Sequence, residues 1–282
     1  MTLNDAILRA TGGPTVNEGL YSWFNGAPPE TLNDAMLRSL RGVSSLPNGS
    51  LEDCWMEYLR ILGYSGTLND RLLQYWSAQT PRTPVFAAFN PANKATIMVL
   101  SETDHRMVSN SGPNRGMGFT TLGASTGKWY WEMLSLTAAT AQGVGIGQAA
   151  SNINEYLGSG PTDWGYFPTG AYWTNAANQG NGLAYGVNSI VGFALDMAGN
   201  LTVYVNGVQS FSVPHGLTGL TWPAGSDSST GGVCDMVINC GDNGTFGGRV
   251  TAGGNTDVNG RGDFKYPVPA GHLSLCNANG AV

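Results

Sequence analysis

The sequence predicts an all-β sandwich preceded by a small all-α repeat module, and three observations carry that prediction. Among the 282 residues there are 41 Gly and 10% aromatic side chains, but only 11% charged ones. That balance suits many short strands joined by Gly/Asn turns. The dipeptide Asn206-Gly207 lies between two alternating apolar runs, the strongest short hairpin signal a sequence offers. At Thr80-Pro81-Arg82-Thr83-Pro84 a capped helical pattern gives way to strand-length segments, because proline fixes its own φ and restricts the residue before it.

The first eighty residues read as a repeat. Thr2-Leu3-Asn4-Asp5, Thr15-Val16-Asn17-Glu18, Thr31-Leu32-Asn33-Asp34, Ser50-Leu51-Glu52-Asp53 and Thr67-Leu68-Asn69-Asp70 open five units, with starts 13 to 19 residues apart. In each, Thr or Ser is an N-cap whose hydroxyl accepts an orphan backbone N–H. The acid three residues later reaches back to the cap's own N–H and sits at the positive end of the helix dipole. Most units stop at a glycine (Gly12, Gly26, Gly42, Gly63), the residue that closes a helix in the left-handed conformation. The pattern predicts five helices of two to three turns, each too short to be stable alone. Their apolar face is carried by Leu3, Leu8, Leu20, Trp23, Leu37, Trp55, Leu59, Leu72 and Trp76. It packs either within a self-contained bundle or onto a partner. The T-L-N-D-x-x-L…G unit, over residues 2–79, resembles short N-terminal helical repeats of bacteriophage virion proteins, and the resemblance implies docking onto a larger assembly.

Residues 81–114 read as a linker and first strands, and residues 115–282 as the main sandwich. Val85 to Phe89 and Ala95 to Leu100 are expected as short strands around the turn Asn90-Pro91-Ala92-Asn93. Lys128 to Met133 alternates after Gly127, and Gly143 to Gly147 is a small apolar strand. Ile190 to Asp196 leads through the turn Met197–Asn200 into Leu201 to Val205 and then Asn206-Gly207, with Met236 to Asn239 later. No helical stretch of ordinary length follows residue 80, which favours a sandwich over a parallel α/β sheet.

The order G-K-W-Y-W-E at 127–132, G-V-G-I-G at 143–147, V-G-F-A-L-D at 191–196, L-T-V-Y-V-N-G at 201–207 and V-I-N-C-G at 237–241 resembles the SPRY domain, as does F-K-Y-P-V-P-A-G at 264–271. The resemblance covers roughly residues 115–280. It implies a bent two-sheet sandwich that binds through loops at one end and carries no catalysis. Two departures stand out. Cys240 occupies a position where the family carries an aromatic residue, and a Gly/Asn-rich insertion, Gly244 to Asp263, precedes an expected closing strand at Phe264-Lys265-Tyr266.

Charge and spacing narrow the function. The net charge is −6, and no Lys or Arg occurs between Trp129 and Gly248. A groove for nucleic acid needs cations to displace phosphate counterions, and phosphoryl transfer needs them too. The N-terminus carries no basic-then-apolar leader, and no segment has the apolar length of a membrane span. The four cysteines lack CxxC spacing, and His105, His215 and His272 lie far apart, so neither a metal site nor a cofactor is expected. Cys234 and Cys240 share a strand face if that strand is continuous. Glu132 and Asp196 are not spaced as a catalytic pair, and Asp196 reads as a turn cap. Asp257 to Asp263 looks somewhat like an oxygen-rich calcium loop, but offers only three oxygen-bearing side chains against the six to eight ligands calcium takes.

The best ligand candidate is Asp163 to Trp173. Its Trp164, Tyr166, Tyr172 and Trp173, with Asn175, Asn178 and Gln179 nearby, are the side chains that stack on sugars; a sandwich core and its corner use the same residues. Within this stretch, Trp164 is expected to be exposed and Trp173 to be core. The resulting expectation is a non-enzymatic virion structural protein, a capsid decoration or head fibre present in many copies. It docks on other virion proteins by its N-terminal helices and presents the sandwich to host-surface glycan or protein. The alternatives are a tail appendage or receptor-binding protein, or a soluble SPRY adaptor binding host proteins.

Overall fold

The computed structural model describes residues 84–110, 114–228 and 233–282. The predicted repeat module and all nine of its docking residues, Leu3 to Trp76, lie outside the described residues. From Pro84 onward the chain forms one unit of short strands. In chain order these are β1 Phe89–Lys94, β2 Met98–Ser101, β3 Arg106–Ser109, β4 Gly116–Thr120, β5 Lys128–Ser135 and β6 Gln142–Gly147. Then come β7 Asp163–Tyr166, β8 Ala171–Thr174, β9 Ala177–Asn181, β10 Ile190–Asp196 and β11 Asn200–Val205. The last are β12 Val208–Pro214, β13 Trp222–Asp227, β14 Asp235–Asn239 and β15 Leu273–Ser274. One sheet runs β1-β4-β13-β6-β7-β8-β9. The other runs β12-β11-β10-β5-β14-β3-β2, with β15 parallel to β5. Among the described residues the sole helical element is a 3-10 turn, Asn277–Asn279, and no helix is long and apolar enough to cross a membrane.

Strand alternation builds the core. Trp129, Trp131 and Met133 of β5 sit opposite Leu195, Phe193 and Val191 of β10, and all six belong to the main core cluster. The rings of Trp131 and Phe193 stack with centroids 5.3 Å apart. The opposite parity of β5 (Tyr130, Glu132, Leu134) therefore faces away from the core. In β6, Val144 and Ile146 point inward, and the glycines between them occupy the other face. A Cβ on Gly145 would lie 1.9 Å from the Trp164 carbonyl oxygen, so glycine there permits a strand approach that no side chain allows. Cys234, Met236, Ile238 and Cys240 share one parity and all enter the core, while Val237 faces outward. Cys240, at the expected aromatic position, is fully buried, and the three described cysteines are free thiols.

The Asn206-Gly207 hairpin forms between β11 and β12, with φ of 51° and 80° and Val205 paired to Val208. Both central residues take the positive φ that a type I′ turn requires. Asn206 is also held from the side: its N–H donates to Ile190 O, and its Oδ1 accepts the Ile190 N–H.

Two expectations for the strands are corrected. Asn90-Pro91-Ala92-Asn93 is not a turn between strands but the middle of β1, whose Phe89 and Lys94 pair with Thr120 and Gly118 across a register shift. Proline is tolerated because β1 is a sheet edge and the segment bulges. The first strands within 81–114 are β1, in one sheet, and β2 and β3, in the other. Phe264-Lys265-Tyr266, in turn, is not a closing strand. Phe264 makes an isolated bridge to Asn255, and its ring packs at 5.1 Å, edge to face, on Tyr130.

Loops cover the outer faces of both sheets. The segment between β6 and β7 brings Leu157 and Ile153 against Met117, Phe119, Ala224 and Trp222. The Gly/Asn-rich insertion and the residues after it bring Phe246, Val250, Phe264, Tyr266 and Val268 against the outward parity of β5, β10 and β14. The insertion thus forms an outer layer on the second sheet.

Candidate binding face

The aromatic stretch divides by strand parity. Trp164 and Tyr166 of β7 and Tyr172 of β8 face the core, where Trp164 is 8% and Tyr166 is 1% exposed. Trp164 Nε1 donates to the His215 carbonyl at 2.9 Å. The Tyr166 hydroxyl donates to Leu183 O, and Tyr172 stacks on Phe211 at 4.1 Å. Trp173, on the opposite parity, pairs with Gly165, faces outward and is half-buried, with Gly158 packed against its backbone and Cβ. The expectation of an exposed Trp164 and a core Trp173 is therefore reversed. Trp164 and Tyr166 are buried in the inner wall, whereas Tyr172 and Trp173 are both half-buried, Tyr172 packed on the core and Trp173 on the outer side.

At the β8–β9 turn lies an open groove of about 470 Å³. Its lining comes from three places: Arg115 ahead of β4, Ala176 at the β8–β9 turn, and Ala150 to Thr162 between β6 and β7. Arg115 Nη1 donates to Glu155 Oε2 at 3.0 Å, and its guanidinium lies 5.0 Å from the centre of the Tyr156 ring. The stretch without Lys or Arg thus receives a cation from outside it. The groove wall is tied down by Asn175 N–H to Gly160 O and Ala176 N–H to Gly158 O, both 2.8 Å. Asn175 and Ala176 hold φ of 52° and 56°. Beneath the wall, Asp163 Oδ1 accepts the N–H groups of Gly158 and Gly160, and burial pushes this carboxyl above the usual aspartate range.

The neighbouring edge strand β9 is exposed and polar, but its own side chains occupy parts of its backbone. Asn178 Oδ1 accepts the Gly180 N–H at 2.7 Å, and Gln179 Nε2 donates to Ala177 O at 3.3 Å. Self-capping of this kind blunts an edge against pairing with another strand.

The titratable residues singled out in the sequence serve the fold. Glu132 is fully buried on the outward face of β5 and accepts from Lys265 N–H (2.9 Å), Tyr266 N–H (2.8 Å), Tyr130 OH (3.1 Å) and Asn239 Nδ2 (3.4 Å). It pins the outer layer to the sheet. Asp257 organises the loop that looked somewhat like a calcium site. Its Oδ1 accepts the N–H groups of Asn259 and Arg261, and its Oδ2 those of Ser274 N–H, Ser274 OH and Asn279 Nδ2. Five protein donors saturate that carboxylate. Asp196 Oδ1 caps its turn by accepting the Ala198 N–H, and its Oδ2 pairs with Lys128 at 2.9 Å. His215 Nδ1 accepts the Leu217 N–H, so its Nε2 carries the proton that bonds Asp196 O. His105 pairs instead with Asp242 at 3.1 Å. Among the described residues, no group of three or more His, Cys, Asp or Glu is placed to hold a metal ion.

No family model matches the chain, and no curated protein matches it. Among solved structures the chain is similar to the SPRY domain of human HERC1, with 16% identity, a TM-score of 0.48, and coverage of 54% of this chain and 96% of that one. It is similar to the TRIM65 PSpry domain at 18% identity and TM-score 0.43, covering 55% of this chain and 92% of that one. A human SPRY domain matches at 14% identity and TM-score 0.40, over 51% and 94% of the two chains.

Proposed function

We propose that the chain is a non-enzymatic binding protein whose sandwich presents the Arg115–Thr162 groove and whose residues 1–80 dock it onto a larger assembly. The observation that carries this reading is the use of the buried carboxylates. Glu132 and Asp257 are spent on main-chain N–H groups of loops that cover or brace the sheets, and Asp163 gives its Oδ1 to the same use while its Oδ2 is buried without a partner. None of them lines the open groove. A paired-acid site needs two carboxyls converging on one cleft, and the groove carries only Glu155, already paired with Arg115. The T-L-N-D repeats support a place in a phage particle, as a capsid decoration or head fibre. A tail position and a soluble adaptor role are the competing assignments.

Two measurements test the reading. Mass spectrometry of purified particles should find the protein as a structural component in multiple copies, and its absence there would leave the adaptor role. Turnover assays of the pure chain on capsule and lipopolysaccharide should show no hydrolysis. Hydrolysis that disappears in Glu132→Gln or Asp196→Asn would overturn the non-enzymatic assignment.

A further inference from the structure

We infer that the groove beside the β8–β9 turn binds a neutral, polyhydroxylated ligand, a sugar, through the Arg115–Glu155 pair; this rests on reading the sandwich as a binding domain and names the ligand class of that site. The volume of about 470 Å³ lies within the range of small-ligand sites. The pair supplies the chemistry. One guanidinium nitrogen is bound to Glu155 Oε2 at 3.0 Å, and Tyr156 backs the guanidinium plane. Among the described residues Arg115 makes no other hydrogen bond, which leaves Nε and Nη2 as donors, and the second oxygen of Glu155 as an acceptor, available to a ligand in the groove. Both side chains are substantially exposed, at 44% and 40%.

A donor fork next to a carboxylate oxygen fits adjacent hydroxyls. One hydroxyl accepts from the guanidinium while its neighbour donates to the carboxylate, and the ion pair stays intact. An anionic ligand would compete with Glu155 for Arg115, and a cationic one with Arg115 for Glu155. The zero net charge of the pair therefore selects against both. The rest of the lining matches. Ser159, Asn152 and Thr162 add polar groups, whereas Ala150, Pro161 and Ala176 offer apolar contact for the C–H face of a sugar ring. The two 2.8 Å main-chain bonds between the loop and the turn preorganise the wall, which lowers the ordering cost of binding.

The test uses the full chain. It is screened by saturation-transfer NMR against lactose, cellobiose, chitobiose and a broad neutral glycan array, with glucuronate and sialyllactose as anionic comparators. Chemical-shift mapping on the wild type then locates any bound sugar. A neutral sugar should bind and perturb Tyr156 and Ser159. Its affinity should fall about tenfold or more in Arg115→Ala and also in Glu155→Gln, with melting unchanged because both side chains are exposed. The proposal is overturned if only the anionic sugars bind, if Glu155→Gln strengthens binding, if shifts map elsewhere, or if no neutral sugar binds. Should Arg115→Ala melt early, shift mapping on the wild type decides alone. Loss of sugar binding with particle association intact removes this inference and leaves the docking role standing. Loss of particle association removes the docking role itself.

Discussion

Removing the Glu132 carboxyl should detach the outer layer from the second sheet. In Glu132→Ala the N–H groups of Lys265 and Tyr266, now 2.9 and 2.8 Å from carboxylate oxygens, lose their acceptor in a buried place. Each unsatisfied donor costs about 1–3 kcal/mol. The Tyr130 hydroxyl can rotate and Asn239 Nδ2 keeps its bond to Asp263 O, so the two main-chain groups dominate. Relief from burying an acid returns part of the cost, leaving a net loss of about 3 kcal/mol. Glu132→Gln keeps one acceptor oxygen and should lose roughly half as much. Burial pushes this carboxyl upward, so its contribution is full below the ordinary value of 4.5 and declines as pH rises through the raised one. Gln, which does not titrate, should abolish that dependence. Denaturant unfolding gives the stabilities, and hydrogen exchange at the Lys265 and Tyr266 amides reports the local opening. An alanine variant as stable as wild type, with unchanged exchange at those amides, would refute the anchoring role.

Trp164→Ala should cost about 3–5 kcal/mol as a core truncation, whereas Trp173→Ala, which removes a half-buried ring, should cost clearly less; equal losses in thermal melts would contradict the parity assignment. His105 is raised by its bond to Asp242, so the pair stabilises fully below 6.5 and loses its contribution as pH rises through the raised value. Asp242→Asn should flatten that part of the stability–pH curve, and an unaltered curve would remove the pair as its source. Ala176 holds a φ of 56° without glycine's freedom, so Ala176→Gly should stabilise by up to about 1 kcal/mol in denaturant titrations; a clear loss of stability would show that the turn is not strained.

What the sequence revealed depended on whether neighbours in the chain were neighbours in the fold. Alternation from Trp129 to Met133 and from Val191 to Leu195 marks two core strands, adjacent in one sheet, without knowledge of their pairing. Asn206-Gly207 fixes its hairpin through local backbone geometry alone. β1 was hidden because Asn90, Pro91 and Asn93 carry turn chemistry, and only the edge position and bulge accommodate them. The aromatic stretch misled because exposure depends on which sheet face each parity meets. Gly165, set between Trp164 and Tyr166, is the one local hint, since it marks the crowded outer side where Leu157 O would meet a Cβ at 2.3 Å. The groove could not be read at all, because Arg115 and Glu155 lie forty residues apart and come together only when the β6–β7 loop folds over the sheet. Glu132 showed no acid partner in the sequence because its partners are main-chain N–H groups more than 130 residues away.

The proposed docking role is tested most directly by co-sedimentation with purified phage particles, comparing the full chain with a form lacking residues 1–80. The full chain should pellet with the particles in multiple copies, and the truncated form should stay in the supernatant while remaining folded by circular dichroism. A folded truncated form that pellets at the level of the full chain would contradict the account.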